Sequence, residues 1–487
     1  MRRYQLFIDG EFVEHSAGET LPVINPATEE VIAEVPTATP VDVDTAVLAA
    51  DAAQPAWAKR PAIQRAGFLR ELAKRIRPEQ DRLARTVSEE QGKPLPQAQA
   101  EVASAADYLD YHAEFARRVE GEILESDRPN EAIFLFKRPL GVAAGILPWN
   151  SPFFMIVRKL APALITGNTI VIKPSSETPV SAYEFAGLVA SSTLPKGVVN
   201  VVSGGGGTVG TALAGHPKVG IVSFTGSVEG GQAVMRAAAA QVTKVSLELG
   251  GKAPVIVMPD ADLDLAVRCT RDARIRNAGQ VCTCPDRVYV HEAVAETFVS
   301  KITAAMARTT YGDPLGEPRV EMGPLVSRQQ RDHVEAAVQR AVQEGATLIL
   351  GGRRPDRKVG YYFPPTVLTE CDHKRAIMQE EIFGPVLPIA TFRDLDEAIA
   401  LANDCEYGLA SSIYTRDLDV AMRACRELRF GETYINREHR EAKQGFHAGC
   451  RKSGIGGADG KHGVEEYLQT HVVYLQYNQG KNGPGRN

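Results

Sequence analysis

The sequence predicts an α/β protein of two or three domains organised around parallel sheets. Three observations predict it. The 487 residues exceed one ordinary domain, and 44% are apolar, enough for more than one buried core. After Gly141, short apolar runs alternate with helical segments. Those runs are rich in Val and Ile and do not alternate polar with apolar, as in parallel strands covered on both faces.

Taken in order, the pattern from about Val43 to Gln91 is helical. Val43, Val47 and Ala50 recur at helical spacing, and Leu69, Leu72 and Ile76 continue it. VAAGIL (142–147), TIVIK (169–173), VVNVV (198–202) and GIVSFTG (220–226) read as strands of a doubly wound sheet. APVIVM, RVYVHE, TLILGG, VLPIATF and SSIYT read as a second set beyond Gly251. AIFLFK (132–137) and HVVYLQY (471–477) look like extended strands lying away from both units, suited to pair with each other or with another subunit. The polar, Gly-rich end, NQGKNGPGRN, reads as a frayed tail, disordered over 481–487.

Composition narrows the function. A net charge of −5 leaves no excess of Lys and Arg to neutralise phosphates, which argues against nucleic acid as a partner. Seven cysteines, odd in number and irregular in spacing, read as reduced thiols and not as a disulfide framework. MRRYQLFIDGEFV has no long apolar run after its arginines, and no stretch approaches the ~20 apolar residues of a spanning helix. The expectation is a cytoplasmic protein with no membrane partner.

Chemistry concentrates in three stretches. AGQVCTC (278–284) sets Cys282 and Cys284 one residue apart, without the further Cys or His ligands a metal clip needs, so no metal is expected. A disulfide between them would be strained. Two buried thiols, or a nucleophile with a neighbour, remain open. LELGGKAP (247–254) carries Glu248 between two leucines, where a carboxylate with a raised pKa would suit a general base; a strand-end glutamate is the alternative. ILPWNSP (146–152) places Asn150 at the end of a predicted strand, able to donate to an oxyanion or simply to form a turn.

Together, ILPWN, FTGS, LELGG, GQVC and EEIFGPV, in this order, resemble the aldehyde dehydrogenase superfamily. The resemblance runs from FIDGEF (7–12) and INPAT (24–28) to the final strand, and the 34-residue separation of Glu248 and Cys282 fits it. It implies a Rossmann-like dinucleotide-binding domain (1–117 and 138–249, with part of 440–466 returning to it), a catalytic α/β domain (250–439) and a small β oligomerisation arm (118–137 and 467–480). It also implies a homo-oligomer, dimer or tetramer.

By this resemblance Cys282 is the nucleophile, Glu248 the base, and Asn150 the oxyanion donor together with the Cys282 N–H. Thiolate addition to an aldehyde gives a thiohemiacetal. Its collapse expels hydride toward a nicotinamide and leaves a thioester, which Glu248 hydrolyses through a water. An acylating, CoA-dependent reaction would lack that base.

The resemblance also implies an NAD or NADP site. There is no GxGxxG; GGGG at 204–207 continues as GxGxxxG, and FTGSVEGG (224–231) joins a strand to a helix whose N-terminus can meet a phosphate. The residues carried over are Ile146, Trp149, Lys173, Gly206, Gly210, Phe224, Gly226, Ser227, Leu249, Gly250, Glu381 and Phe383. Three residues after Lys173, where NAD-preferring members often have Glu, stands Ser176. Serine does not repel a 2′-phosphate, so NADP is expected to be accepted, unless Glu177 restores the carboxylate.

Arg158, eight residues after Asn150, where many members are apolar, suggests a substrate anchor; its rival is a salt-bridged helix arginine. EGEILESDRP (120–129), GETYINRE (431–438) and QGFHAGCRKSGIGGADGKHG (444–463) resemble the branch that oxidises lactaldehyde and glycolaldehyde. There an arginine and a histidine meet the substrate, matching Arg158 and His447. Two departures appear: Ser151 replaces a Phe, and Cys450 stands where Trp is expected. If both face the tunnel, it is wider or more polar. A small α-hydroxyaldehyde is therefore the expected substrate. The alternatives are a semialdehyde such as succinate semialdehyde, with its carboxylate on Arg158, and a catalytically silent relative.

Overall fold

A computed structural model describes residues 1–16 and 18–477. The expected tail at 481–487 and the arm residues 478–480 lie outside the described residues.

The first sheet has eight strands. Its parallel centre runs Lys244–Glu248, Val219–Thr225, Val142–Ile146, Thr169–Lys173 and Val199–Val201. Antiparallel strands extend both edges, Gly454–Ile455 on one side and Leu6–Ile8 with Glu11–Val13 on the other. Strand order reverses at Val142–Ile146, so the crevice at the C-terminal ends of the central strands is where an open α/β sheet takes a ligand.

The helical stretch becomes three helices, Pro40–Lys59, Ala62–Ile76 and Gln80–Gln91. Thr39 and Asp42 form a capping box at the first, and Gly92, at φ 91°, ends the third in the left-handed region that glycine tolerates. Trp57, Leu69, Leu72 and Ile76 are buried against the helix Pro152–Thr166 and its neighbours.

The second sheet has seven strands, ordered Thr347–Leu350, Thr366–Thr369, Val386–Phe392, Pro285–His291, Ala253–Val257, Ala410–Tyr414 and Glu432–Ile435. All pairs are parallel except the first. Leu468–Gln476, Glu131–Pro139 and Glu122–Glu125 form a separate antiparallel ribbon. Among the described residues no helix is long and apolar enough to cross a membrane.

Candidate active site

The site grows from one row of the first sheet. Parallel register sets Ile146 beside both Lys173 and Phe224, and Thr225 beside Glu248. These strand ends open into a cavity of about 1050 Å³ that also takes in loops of the second sheet. Cys282, Asn150 and Glu248 all line it.

Cys282 sits in the link between the helix Leu263–Ile275 and the strand Pro285–His291. Just before it, Asn277, Ala278 and Gly279 have φ of 50°, 55° and 76°. Such left-handed residues persist only where surrounding contacts hold them. Gly279 has no substitute, because a Cβ there would lie 2.2 Å from the Gly384 carbonyl oxygen. Asn277 Nδ2 donates to the Asn150 carbonyl at 3.0 Å, and Gln280 Nε2 donates to the Asn277 carbonyl at 2.9 Å. Asn150 Nδ2 donates to the Gln280 carbonyl at 3.0 Å. The oxyanion candidate is thus tied to the loop that presents the thiol, and an amide retains a second N–H to donate.

Cys284 is not part of the cavity wall. It is buried, donates to the Ala273 carbonyl at 3.2 Å and accepts from Arg274 Nη1 at 3.4 Å. Burial pushes its thiol up despite Arg274.

Glu248 departs from the sequence expectation. Burial alone would raise its pKa, but Lys159, Arg158 and His447 hold it at about 2. Lys159 Nζ stands 3.3 Å from Oε1, and Thr225 Oγ1 donates to Oε2 at 3.1 Å. The sequence shows the apolar neighbours of Glu248 but not the lysine brought in by another helix. Because the folded value lies below the ordinary 4.5, this carboxylate stabilises the fold above about pH 4.5, and the contribution is lost as pH falls toward 2. Lys159→Met is expected to flatten that acid limb and to cost about 3 kcal/mol at pH 7, the scale of a broken buried pair. Denaturant unfolding between pH 3 and 7 checks both; an unchanged acid limb would rule out Lys159 as the cause.

His447 and Arg158 each carry a charge partner that the sequence does not show. His447 is buried and absent from the cavity wall. Its Nδ1 bonds Glu432 Oε1 at 3.0 Å. Burial and Arg158 would lower its pKa, but hydrogen bonds to Cys282 and Glu432 carry it well above the ordinary value. Arg158 lines the cavity but is held by Asp459: Nε bonds Oδ1 at 3.2 Å, and Nη2 bonds Oδ2. Asp459 also accepts from Tyr108 Oη at 2.8 Å, and Glu441 lies 3.8 Å from Arg158 Nη1. Arg158 thus lines the cavity while paired with Asp459, as a buried guanidinium requires a paired anion.

Of the carried-over cofactor residues, Ile146, Trp149, Lys173, Ser176, Gly206, Phe224, Gly226, Ser227, Leu249, Gly250, Glu381 and Phe383 line the same cavity. Gly210 does not; it is buried behind Lys173. Gly206 has open space where a Cβ would stand. Ser227 caps the helix Val228–Ala239, whose N-terminus suits a phosphate. Burial holds Lys173 at about 8 and raises Glu381 to about 7. Glu381 Oε1 accepts from the Gly251 N–H at 3.0 Å, and Trp149 meets Phe383 edge to face at 5.2 Å. Ser176 donates to the Gly204 carbonyl at 3.1 Å. An open glycine at 206, a capped helix start and a carboxylate fit a ligand bearing phosphates and hydroxyls.

Ser151 faces the cavity, as its replacement of an aromatic side chain requires for a wider tunnel. Cys450 does not; its Sγ lies 3.2 Å from the carbonyls of Gly408 and Arg429. Sequence reasoning missed Asn277, Gln280, Lys159, Glu432 and Asp459. Only Asn277 and Gln280 carried a signal, their adjacency to Cys282.

A model of the aldehyde dehydrogenase family matches residues 12–473. Lactaldehyde dehydrogenase of Escherichia coli K12 is 54% identical over 474 residues, covering 97% of this chain and 99% of that protein. A crystal structure of lactaldehyde dehydrogenase from Escherichia coli superposes with a TM-score of 0.96 at 55% identity, covering 98% and 99%. An NADP⁺-dependent D-glyceraldehyde dehydrogenase of Thermoplasma acidophilum is 39% identical, covering 97% and 96%.

Proposed function

The chain belongs to the aldehyde dehydrogenase family, and we propose that it oxidises a small α-hydroxyaldehyde such as lactaldehyde or glycolaldehyde to its acid with NAD or NADP. The observation that carries this reading is the convergence of Cys282, Asn150 and Glu248 on one cavity whose other wall is the glycine-rich set around Lys173 and Ser227. The full-length likeness to lactaldehyde dehydrogenase supports the substrate.

In this reading Cys282 Sγ adds to the aldehyde carbon. The carbonyl oxygen becomes an oxyanion held by Asn150 Nδ2 and the Cys282 N–H. A bound nicotinamide dinucleotide supplies the hydride acceptor. Cys282 is then left acylated as a thioester. Glu248 takes a proton from water, whose oxygen displaces the thiolate and releases the acid.

In this reading Lys173, Ser176 and Glu381 hold the dinucleotide. Because Ser176 presents no charge to a 2′-phosphate, initial rates on lactaldehyde should register with both NAD and NADP. Ser176→Glu should lower kcat/KM for NADP by about tenfold relative to NAD. A wild type that produces no NAD(P)H from lactaldehyde or glycolaldehyde would overturn the function. A variant unchanged in cofactor ratio would overturn the role of Ser176.

The antiparallel ribbon of 122–139 and 468–476 is the proposed oligomerisation arm. It exposes Ile123, Phe136, Tyr474 and Leu475, apolar surface suited to a second copy of the chain. The reading is a homo-oligomer in the cytoplasm, and a monomer mass by light scattering would contradict the assembly.

A further inference from the structure

Three polar side chains at one end of the helix Leu95–Ala113 face the reacting groups from behind: Lys93, just before the helix, and Gln97 and Glu101 within it. None has a part in the reaction proposed above. Lys93 and Glu101 form a buried ion pair. Such a pair is a weak source of stability, because desolvation offsets the attraction. Its contacts point to a different role.

The two partners grip Asn150 from either side. Lys93 Nζ donates to the Asn150 carbonyl at 2.8 Å. The same carbonyl accepts from Asn277 Nδ2 at 3.0 Å, so both of its lone pairs are engaged. Glu101 Oε1 accepts from the N–H groups of Phe153 at 2.9 Å and Phe154 at 3.2 Å. Those are orphan donors in the first turn of the helix Pro152–Thr166, which Ser151 does not cap with its side chain. A carboxylate also suits the positive end of that helix. The ion pair therefore fixes Asn150 at its carbonyl and fixes the start of the helix that follows it. Gln97 extends the grip to the nucleophile, since its Oε1 accepts from the Asn277 N–H at 2.9 Å in the turn before Cys282. An oxyanion donor acts only at a set distance from the developing charge, about 2.7–3.1 Å, so a small shift of the Asn150 backbone would misplace its free N–H.

We propose that Lys93 and Glu101 are positioning residues for the oxyanion donor: their ion pair sets the backbone of Asn150, and through it the amide that meets the aldehyde oxygen. This rests on the role given to Asn150 above. The pair acts through Asn150 and adds nothing to the reaction when that amide is gone.

The test places Lys93→Met and Glu101→Gln in wild type and in Asn150→Ala, and reads single-turnover NAD(P)H formation from lactaldehyde by stopped flow. Lys93→Met should slow this step by about tenfold to a hundredfold, short of the ~10²–10³ for losing the donor itself. Glu101→Gln keeps an oxygen for the Phe153 and Phe154 N–H groups but removes the charge, and should slow it by about threefold to tenfold. In Asn150→Ala neither change should alter the rate by more than about twofold, because groups that act as one unit are not additive. Dinucleotide affinity, followed by fluorescence quenching, should be unchanged throughout. Full rates in both single variants, equal losses in the two backgrounds, or a loss of dinucleotide affinity in step with the rate would overturn the proposal. If Lys93→Met does not fold, Glu101→Gln carries the same comparison. Asn150→Ala separates the two readings. If it alone slows the step but the coupling is missing, only the positioning role falls; if it reacts at the wild-type rate, the oxyanion role falls with it.

Discussion

Cys282→Ala is expected to abolish NAD(P)H formation from every aldehyde, a loss of about 10⁴ or more, while the protein still folds and binds dinucleotide. The size follows from chemistry: without a thiohemiacetal, the aldehyde has no oxyanion to drive hydride departure. Retention of the fold follows from placement. Cys282 is partly exposed at the cavity, and the loop's conformation is held by Asn277, Gln280 and Gly279 and not by the thiol. Cys284 cannot take over, because it is buried on Arg274 and the Ala273 carbonyl. Steady-state assays, with dinucleotide binding followed by fluorescence quenching, check both halves. Substantial residual turnover would remove Cys282 from the mechanism.

Glu248→Gln is expected to separate the two halves of the reaction. One equivalent of NAD(P)H per site should form rapidly, and turnover should then fall by about 10²–10⁴, the range for loss of a general base. Glutamine keeps the size of the side chain and removes the proton acceptor. It also leaves Lys159 buried without its anion, so the variant should be less stable than wild type. Stopped-flow absorbance distinguishes this outcome from its rival. If burst and steady state fall together, Glu248 acts before or during hydride departure and not in hydrolysis.

Much of this architecture is legible in the sequence, for a physical reason. Strands buried on both faces leave uninterrupted apolar runs, so Val142–Ile146, Thr169–Lys173 and Ala253–Val257 stand out. Lys244–Glu248 and Glu432–Ile435 did not, because KVSLE and ETYI lie toward sheet edges and mix polar with apolar residues. The reacting trio was legible through its local motifs. Its electrostatics were not. The Lys159–Glu248, Arg158–Asp459 and His447–Glu432 pairs join residues 89, 301 and 15 positions apart, and no local pattern predicts which charge a fold sets beside another. That is why Glu248 read as a carboxylate with a raised pKa when Lys159 holds it low, and why the sequence does not name Asp459 as the partner of Arg158.

The central claim is a covalent acyl-enzyme on Cys282. The direct measurement is mass spectrometry of Glu248→Gln, mixed with lactaldehyde and NAD, quenched in acid and digested. The account predicts a lactoyl group on the peptide containing Cys282, absent when NAD is omitted and absent in Cys282→Ala. An unmodified Cys282 peptide after a full burst of NADH, or the acyl group on another residue, would contradict it.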